Sequence, residues 1–316
     1  MYRLYALDKT NAAAAFSQIE NGMLLDLAHD AMKNGSVMRA VYEQPALARQ
    51  DGLWMLNNKR WGRIGGINGH GYNLTIGKDF LFDEHGYYGL LFDYGSNTVS
   101  GAAGSGEYDS YSLGLYAGNK NKPGSITGFV SYGLQANKGT AYLPVLGQTA
   151  ESGYDSKTLG IGVEYAYDLD YGKPEELWHV SPYARLNFTH YRQKAFKEHG
   201  AGVFDRSFGS YSDNYAEGEL GLSFDRSEGT GGYGIRLGYK RILAGERQLM
   251  EVCFAEDECG ALLPVRSWGE GRNHFVAAAY VRHDFSRKWS AGGSLSGDWS
   301  NGGREIGARL DLAYHF

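Results

Sequence analysis

The stretch that most constrains the fold is the last one, residues 304–316. Phe316, Tyr314, Leu312, Leu310, Ala308 and Ile306 form an apolar row at every second position. His315, Ala313, Asp311, Arg309, Gly307 and Glu305 lie between them, a row that is mostly polar or small. Successive side chains of a strand point to opposite faces, so this is a strand with one apolar and one wet side. A soluble domain rarely keeps its final strand so apolar to the end, because termini fray in water. A transmembrane barrel strand has reason to, since its apolar row meets lipid and its polar row meets the lumen.

The same period runs back along the chain to Leu53. The clearest segment sets Leu159, Ile161, Val163, Tyr165 and Tyr167 against Gly160, Gly162, Glu164, Ala166 and Asp168. Another sets Val180, Pro182, Ala184, Leu186 and Phe188 against Tyr183, Arg185, Asn187 and Thr189, and a third sets Leu220, Leu222 and Phe224 against Glu217, Glu219, Ser223 and Asp225. Tyr233, Ile235, Leu237 and Tyr239 alternate with Arg236 and Lys240, and Phe275 to Phe285 repeats the pattern with Arg282 facing the other way. The weakest segment, 53–64, holds Trp54, Leu56 and Trp61 without clean alternation. Counting these with the segments around Ile76, Phe92, Leu113, Val130 and Leu295 predicts twelve strands, an even number as single-chain barrels require.

Before the strands, Asp8 and Thr10 can cap a helix, and Asn11 to Phe16 favours one. Met23, Leu24, Leu25, Leu27, Ala28, Ala31 and Met32 give it a loose apolar stripe, broken at Asn21-Gly22 and stopped at Asn34-Gly35. A helix over about residues 10–34 would span roughly 36 Å, enough to thread an apolar band about 25 Å tall. The chain therefore divides into 1–51, a linker with a pore-spanning helix, and 52–316, a barrel. The fold class is an all-β membrane protein: a 12-stranded antiparallel transmembrane β-barrel with an N-terminal α-helix in the lumen.

Composition agrees with this reading. Gly at 46 and Tyr at 24 are high for 316 residues, while Pro is only 6. The mean hydropathy of −0.43 is no objection, because half of each barrel strand is polar. No apolar run is long enough for a transmembrane helix, and a net charge of −5 gives no nucleic-acid signal. The opening Met1 to Asp8 is followed by no apolar leader, so further chain is expected ahead of it. Links are expected to be short on one rim, at 83–86, 119–124, 168–177, 226–231 and 286–288. They are expected to be long on the other, at 95–107, 137–155, 193–213 and 245–272, although two links on that rim, 65–70 and 301–303, are short and break the pattern.

A connector helix, twelve amphipathic strands and a terminal Tyr314-His315-Phe316 resemble the translocator domain of autotransporters (type V secretion). Tyr111-Ser112-Leu113-Gly114-Leu115-Tyr116-Ala117 and Val180-Ser181-Pro182-Tyr183-Ala184-Arg185-Leu186 fit the same pattern. The resemblance implies a barrel in the bacterial outer membrane, in contact with its lipid. It implies insertion by the barrel-assembly machinery, which reads a last strand carrying Leu310, Leu312, Tyr314 and Phe316. It further implies a monomer that exports its own N-terminal passenger to the cell surface and keeps the helix in the lumen as tether and plug. Lumen-facing Glu164, Arg185, Glu217, Glu219, Arg236, Lys240, Arg282, Arg309 and Asp311 would then meet the helix, and their mixed signs suit a plugged lumen better than a selective pore.

Little chemistry is expected. Some members of that family release the passenger when an Asn in the helix attacks its own backbone carbonyl. Their adjacent Asn pair is missing from the helix here, which leaves Asn11 as the best candidate, while Asn21 and Asn34 precede Gly and read as turn or stop signals. Cys253 and Cys259 fall in a long link, where a close pair in an oxidising compartment forms a disulfide. A metal site built on the neighbouring acids would lack His and zinc spacing. No nucleotide, zinc-protease or serine-hydrolase motif stands in a meaningful context, so no cofactor, metal or enzymatic activity is expected. The competing readings are a plain outer-membrane channel plugged by its N-terminal segment, a soluble β-sandwich and a membrane enzyme.

Overall fold

The computed structural model describes residues 18, 20, 22–34, 41–42, 51–144, 146–171, 173–174, 178–256, 260 and 262–316. Among the described residues ahead of the strands, a helix α1 spans Met23–Asn34, and Gln18, Val41 and Tyr42 are also helical. The strands are β1 (Gly52–Ile64), β2 (Ile67–Leu81), β3 (Gly86–Gly101), β4 (Gly104–Asn119), β5 (Gly124–Leu143), β6 (Gln148–Tyr167) and β7 (His179–Gln193). The short β8 (Phe196–Lys197) and β9 (Arg206–Phe208) come next, then β10 (Tyr211–Glu228) and β11 (Gly231–Ala244). After the short β12 (Leu249–Phe254) and β13 (Leu263–Arg266), the chain ends with β14 (Asn273–Asp284), β15 (Trp289–Ser300) and β16 (Gly303–His315).

Twelve of these close into one barrel in the order β1-β16-β15-β14-β11-β10-β7-β6-β5-β4-β3-β2. The seam joins β1 to β16 antiparallel, from Gly52 opposite His315 to Ile64 opposite Gly303. Closure leaves no free sheet edge, the condition for a strand-built span in lipid, where unpaired backbone has no water to turn to.

The period-two pattern decides which way each side chain points. On β16, Leu310 is 72% exposed in the protein alone, whereas Asp311 is 5% and Ala313 2% exposed. The row of Leu159, Ile161, Val163, Tyr165 and Tyr167 is likewise outward on β6. The irregular alternation of β1 has a packing cause. Trp54 and Leu56 face inward, joining Tyr87, Leu91, Tyr116, Phe129, Val41 and Tyr42 in a cluster that fills the lumen near the start of β1. Both faces of that half-strand are therefore apolar, and the two-fold signal cancels.

Two expected loops are strand instead. Residues 95–107 and 137–155 continue the ladders β3–β4 and β5–β6, which turn only at 102–103 and 144–147. Ser, Thr, Asn and Gly alternate there without an outward apolar row, so the sequence looks like loop while the backbone remains paired. The long links 194–210 and 245–272 carry the small strands β8, β9, β12 and β13, which form a second sheet in the order β13-β12-β9-β8. Its Phe208, Met250, Val252 and Val265 pack with α1 and with Tyr154, Tyr191 and Tyr215, roofing one end of the barrel.

Candidate functional site in the barrel lumen

Gly22 stands just ahead of α1, and a Cβ there would lie 1.8 Å from the Arg266 carbonyl oxygen. Only glycine lets the chain pass so close under the roof. From there α1 runs down the lumen for twelve residues, about 18 Å at 1.5 Å per residue. Every one of those residues is buried. The described helix is shorter than the one expected over 10–34; residues 10–17 and 19, Asn11 and Asn21 lie outside the described residues. Val41 and Tyr42 follow at the far end of the lumen, packed near β1, β3, β4 and β5.

The helix has two faces, and the barrel has a matching side for each. Met23, Leu24 and Leu27 lie against Gly101, Gly139 and Gly106, where the absence of side chains on β3, β5 and β4 makes room for them. Asp26, His29, Asp30 and Lys33, spaced i, i+3, i+4 and i+7, turn toward charged partners. Arg60 Nη2 on β1 donates to Asp30 Oδ2 at 2.5 Å and to Asn97 Oδ1 at 2.8 Å, with Glu305 3.5 Å from its Nη1. Tyr108 Oη also donates to Asp30 Oδ2 at 2.9 Å.

Lys33 Nζ donates to Glu270 Oε2 at 2.8 Å and lies 3.9 Å from Asp298 and 4.0 Å from Glu305. Asp298 in turn accepts from Lys240 at 2.5 Å and lies 2.6 Å from His274 Nδ1. Glu270 belongs to the link between β13 and β14, and its second oxygen is 3.2 Å from His29 Nε2, close but not aligned as a hydrogen bond. Burial pushes the Glu270 carboxyl up, but Lys33 and His29 against it hold it well below the usual carboxylate range. Asp26 accepts from the Trp268 backbone N–H at 2.7 Å, so the same link grips the helix twice.

A second cluster lies nearer Tyr42. Arg185 donates to Glu164 at 2.7 Å and lies 3.6 Å from Glu219, Arg236 reaches Glu164 at 3.3 Å, and Tyr183 donates to Glu219 at 2.6 Å. The Arg185 guanidinium lies 4.7 Å over the Tyr42 ring. Lys240 connects the clusters, 3.5 Å from Glu217.

The structure thus brings Glu164, Arg185, Glu217, Glu219, Arg236 and Lys240 together around the lumen. Arg282 points inward and, among the described residues, pairs with Asp284 at 3.4 Å, and Arg309 lies 3.4 Å from Asp311 on its own strand. Sequence reasoning missed Arg60, Glu270 and Asp298, and put Glu305 on the inward row of the last strand without giving it a partner; these four hold the helix. The i, i+3, i+4, i+7 polar stripe on α1 was the signal that partners of both signs had to exist. Leu310 and Leu312 face outward on β16; the Tyr314 ring meets Trp289 at a tilt, 4.9 Å between centroids, and Phe316 edge-on at 5.6 Å. Cys253 is buried on β12 and is not a free thiol, while Cys259 lies outside the described residues.

Family comparison decides what this plugged barrel is. The model of the autotransporter beta-domain matches residues 53–296. The chain belongs to that family. No curated protein matches it in sequence. Among solved structures, the translocator domain of the autotransporter NalP from Neisseria meningitidis superposes with a TM-score of 0.75 at 16% identity, covering 97% of this chain and 99% of that one. The beta domain of the Bordetella autotransporter BrkA gives 0.64 at 14% identity, covering 84% of this chain and 100% of that one. The transport unit of AIDA-I from Escherichia coli gives 0.60 at 12% identity, covering 94% and 99%. This autotransporter domain is a translocator β-barrel of the bacterial outer membrane, of the kind that carries a passenger domain.

Proposed function

We propose that α1 is the retained end of the exported segment, and that the ion pairs of the lumen hold it as a plug once the passenger has crossed. The observation that carries this reading is the complete burial of α1 between charged groups from β1, β15, β16 and the β13–β14 link. A channel for small solutes gains nothing from a lumen so filled. The direction of the chain fits export: Gly22, the end nearer any passenger, lies under the roof of long links, and Tyr42 lies near the start of β1. By the barrel rule the long links face the cell exterior.

The domain acts as a monomer, without catalysis of its own. The best-placed described asparagine, Asn34, has its amide engaged with Asp30 Oδ1 at 3.0 Å. Its assembly depends on the barrel-assembly machinery engaging β16, whose outward Leu310 and Leu312 form an uninterrupted apolar row. The test is single-channel conductance of the purified domain with and without residues 1–35. Deletion is expected to convert a nearly closed barrel into a steadily conducting one; unchanged conductance would sink the plug and favour the channel reading.

A further inference from the structure

Outside the lumen, β6 and β7 meet in a rung that makes no sense for a protein in isolation. Lys157 stands directly opposite Arg192, and both are exposed. Like charges directly opposite on one face of an antiparallel pair are destabilising. Lys194 follows two residues beyond Arg192 and is exposed too. Among the described residues no carboxylate pairs with any of the three, whereas Lys138 on the adjoining β5 has Glu107 at 3.4 Å. The three cations line a groove of about 550 Å³ whose floor includes Tyr111 and Leu134, with Asp155 the one carboxylate along it.

The height of this groove identifies what it faces. Below Lys157 the outward row of β6 is apolar from Leu159 to Tyr167, about 26 Å along the strand and about 20 Å across a bilayer at a typical tilt. Below Arg192 the outward row of β7 carries Phe188 and Leu186. The cations therefore begin where the hydrocarbon ends, on the rim of the long links. Leu134 lies directly opposite Lys157 on its other side, so an acyl chain and an anionic head could be met side by side.

We infer that the β5–β6–β7 groove holds the phosphate headgroup of a lipid of the outer leaflet. A phosphate between Lys157 and Arg192 replaces their mutual repulsion by two charge-assisted hydrogen bonds, with Lys194 as a third donor, while Leu134 and Tyr111 cover the first part of its chains. The site fixes the height of the barrel in the membrane on this side and gives it a resident lipid.

The experiment titrates the purified full chain, in non-ionic detergent, with short-chain phosphatidic acid and counts bound lipid by native mass spectrometry. Diacylglycerol of the same chain length and inorganic phosphate serve as the other arms. One phosphatidic acid per chain is expected to bind well above the level of diacylglycerol. Its affinity should fall at least about tenfold in a Lys157→Gln/Arg192→Gln variant and stay unchanged in Arg287→Gln on the opposite rim. Arg192→Glu supplies Lys157 with an opposite charge across the rung, so it should fold, by heat-modifiable gel migration, and still lose the lipid. Equal binding of diacylglycerol, or undiminished binding by the folded variants, would overturn the inference. Displacement by inorganic phosphate at equal concentration would overturn the lipid assignment, leaving a site for free anions.

Discussion

At the scale of single residues, the lumen beside α1 works by pairing the charges that hold the helix. Arg60 is 2% exposed and shared by Asp30, Glu305 and Asn97. Removing one partner from such a set leaves uncompensated charge, at about 3–5 kcal/mol. Glu270 is the informative member, because it lies on a link and not on a strand. Its carboxyl is held below its ordinary 4.5 by Lys33 and His29 despite burial. A carboxyl depressed in the folded state contributes stability that is complete above its ordinary value and is lost as pH falls through the folded one. Acidifying a reconstituted domain from pH 7 to below 4.5 is therefore expected to raise the frequency of open-channel events. Glu270→Gln should open more often already at pH 7 and lose part of that pH dependence. These contacts were the least legible part of the chain. Alternation along β15 marks Asp298 as inward, but nothing local says that Lys33 or Lys240, far away in sequence, will meet it.

At the scale of elements, legibility followed the strength of the outward apolar row. β6, β7, β11 and β16 could be read residue by residue because lipid demands an apolar side chain at every outward step. The upper halves of β3 to β6 stand beyond that demand. Once outside the hydrocarbon their outward positions take mostly Ser, Thr, Asp, Lys or Glu, and paired strand becomes indistinguishable from loop. The helix presents the opposite case, with its stripe visible but its partner surface hidden, since that surface is made of absences at Gly101, Gly106 and Gly139. Leu27 fills one of these seats and is fully buried. Leu27→Ala is expected to weaken the seating of α1 by about 2–5 kcal/mol. The readout is faster hydrogen exchange at the α1 amides, with the heat-modifiability of the barrel unchanged. Equal loss in both would mean that helix and barrel unfold as one unit.

At the scale of the molecule, everything rests on the seam between β1 and β16. The ladder there is continuous along the length of both strands, and no other pairing is available to β1 on that side. Deleting 310–316 removes the partners of Gly52 to Asn57 and exposes backbone donors and acceptors to hydrocarbon. The expected outcome is no heat-modifiable species at all and accumulation of soluble, protease-sensitive chain. A normally migrating barrel would show that closure tolerates a partial seam. The overall architecture was legible because twelve strands with one apolar face have few ways to hide it. The roof of β8, β9, β12 and β13 was not, because its strands are as short as Phe196–Lys197 and carry too few residues to show a period.

The seam has a consequence for the order of events. The first strand of the ring waits for the one furthest from it in sequence, so no stable smaller ring forms along the way. The segment that ends inside precedes that first strand, with the nine residues 43–51 between Tyr42 and Gly52. A ring that shuts last leaves its two margins, β1 and β16, apart until the end, so a thread lying across the open sheet is enclosed when they meet.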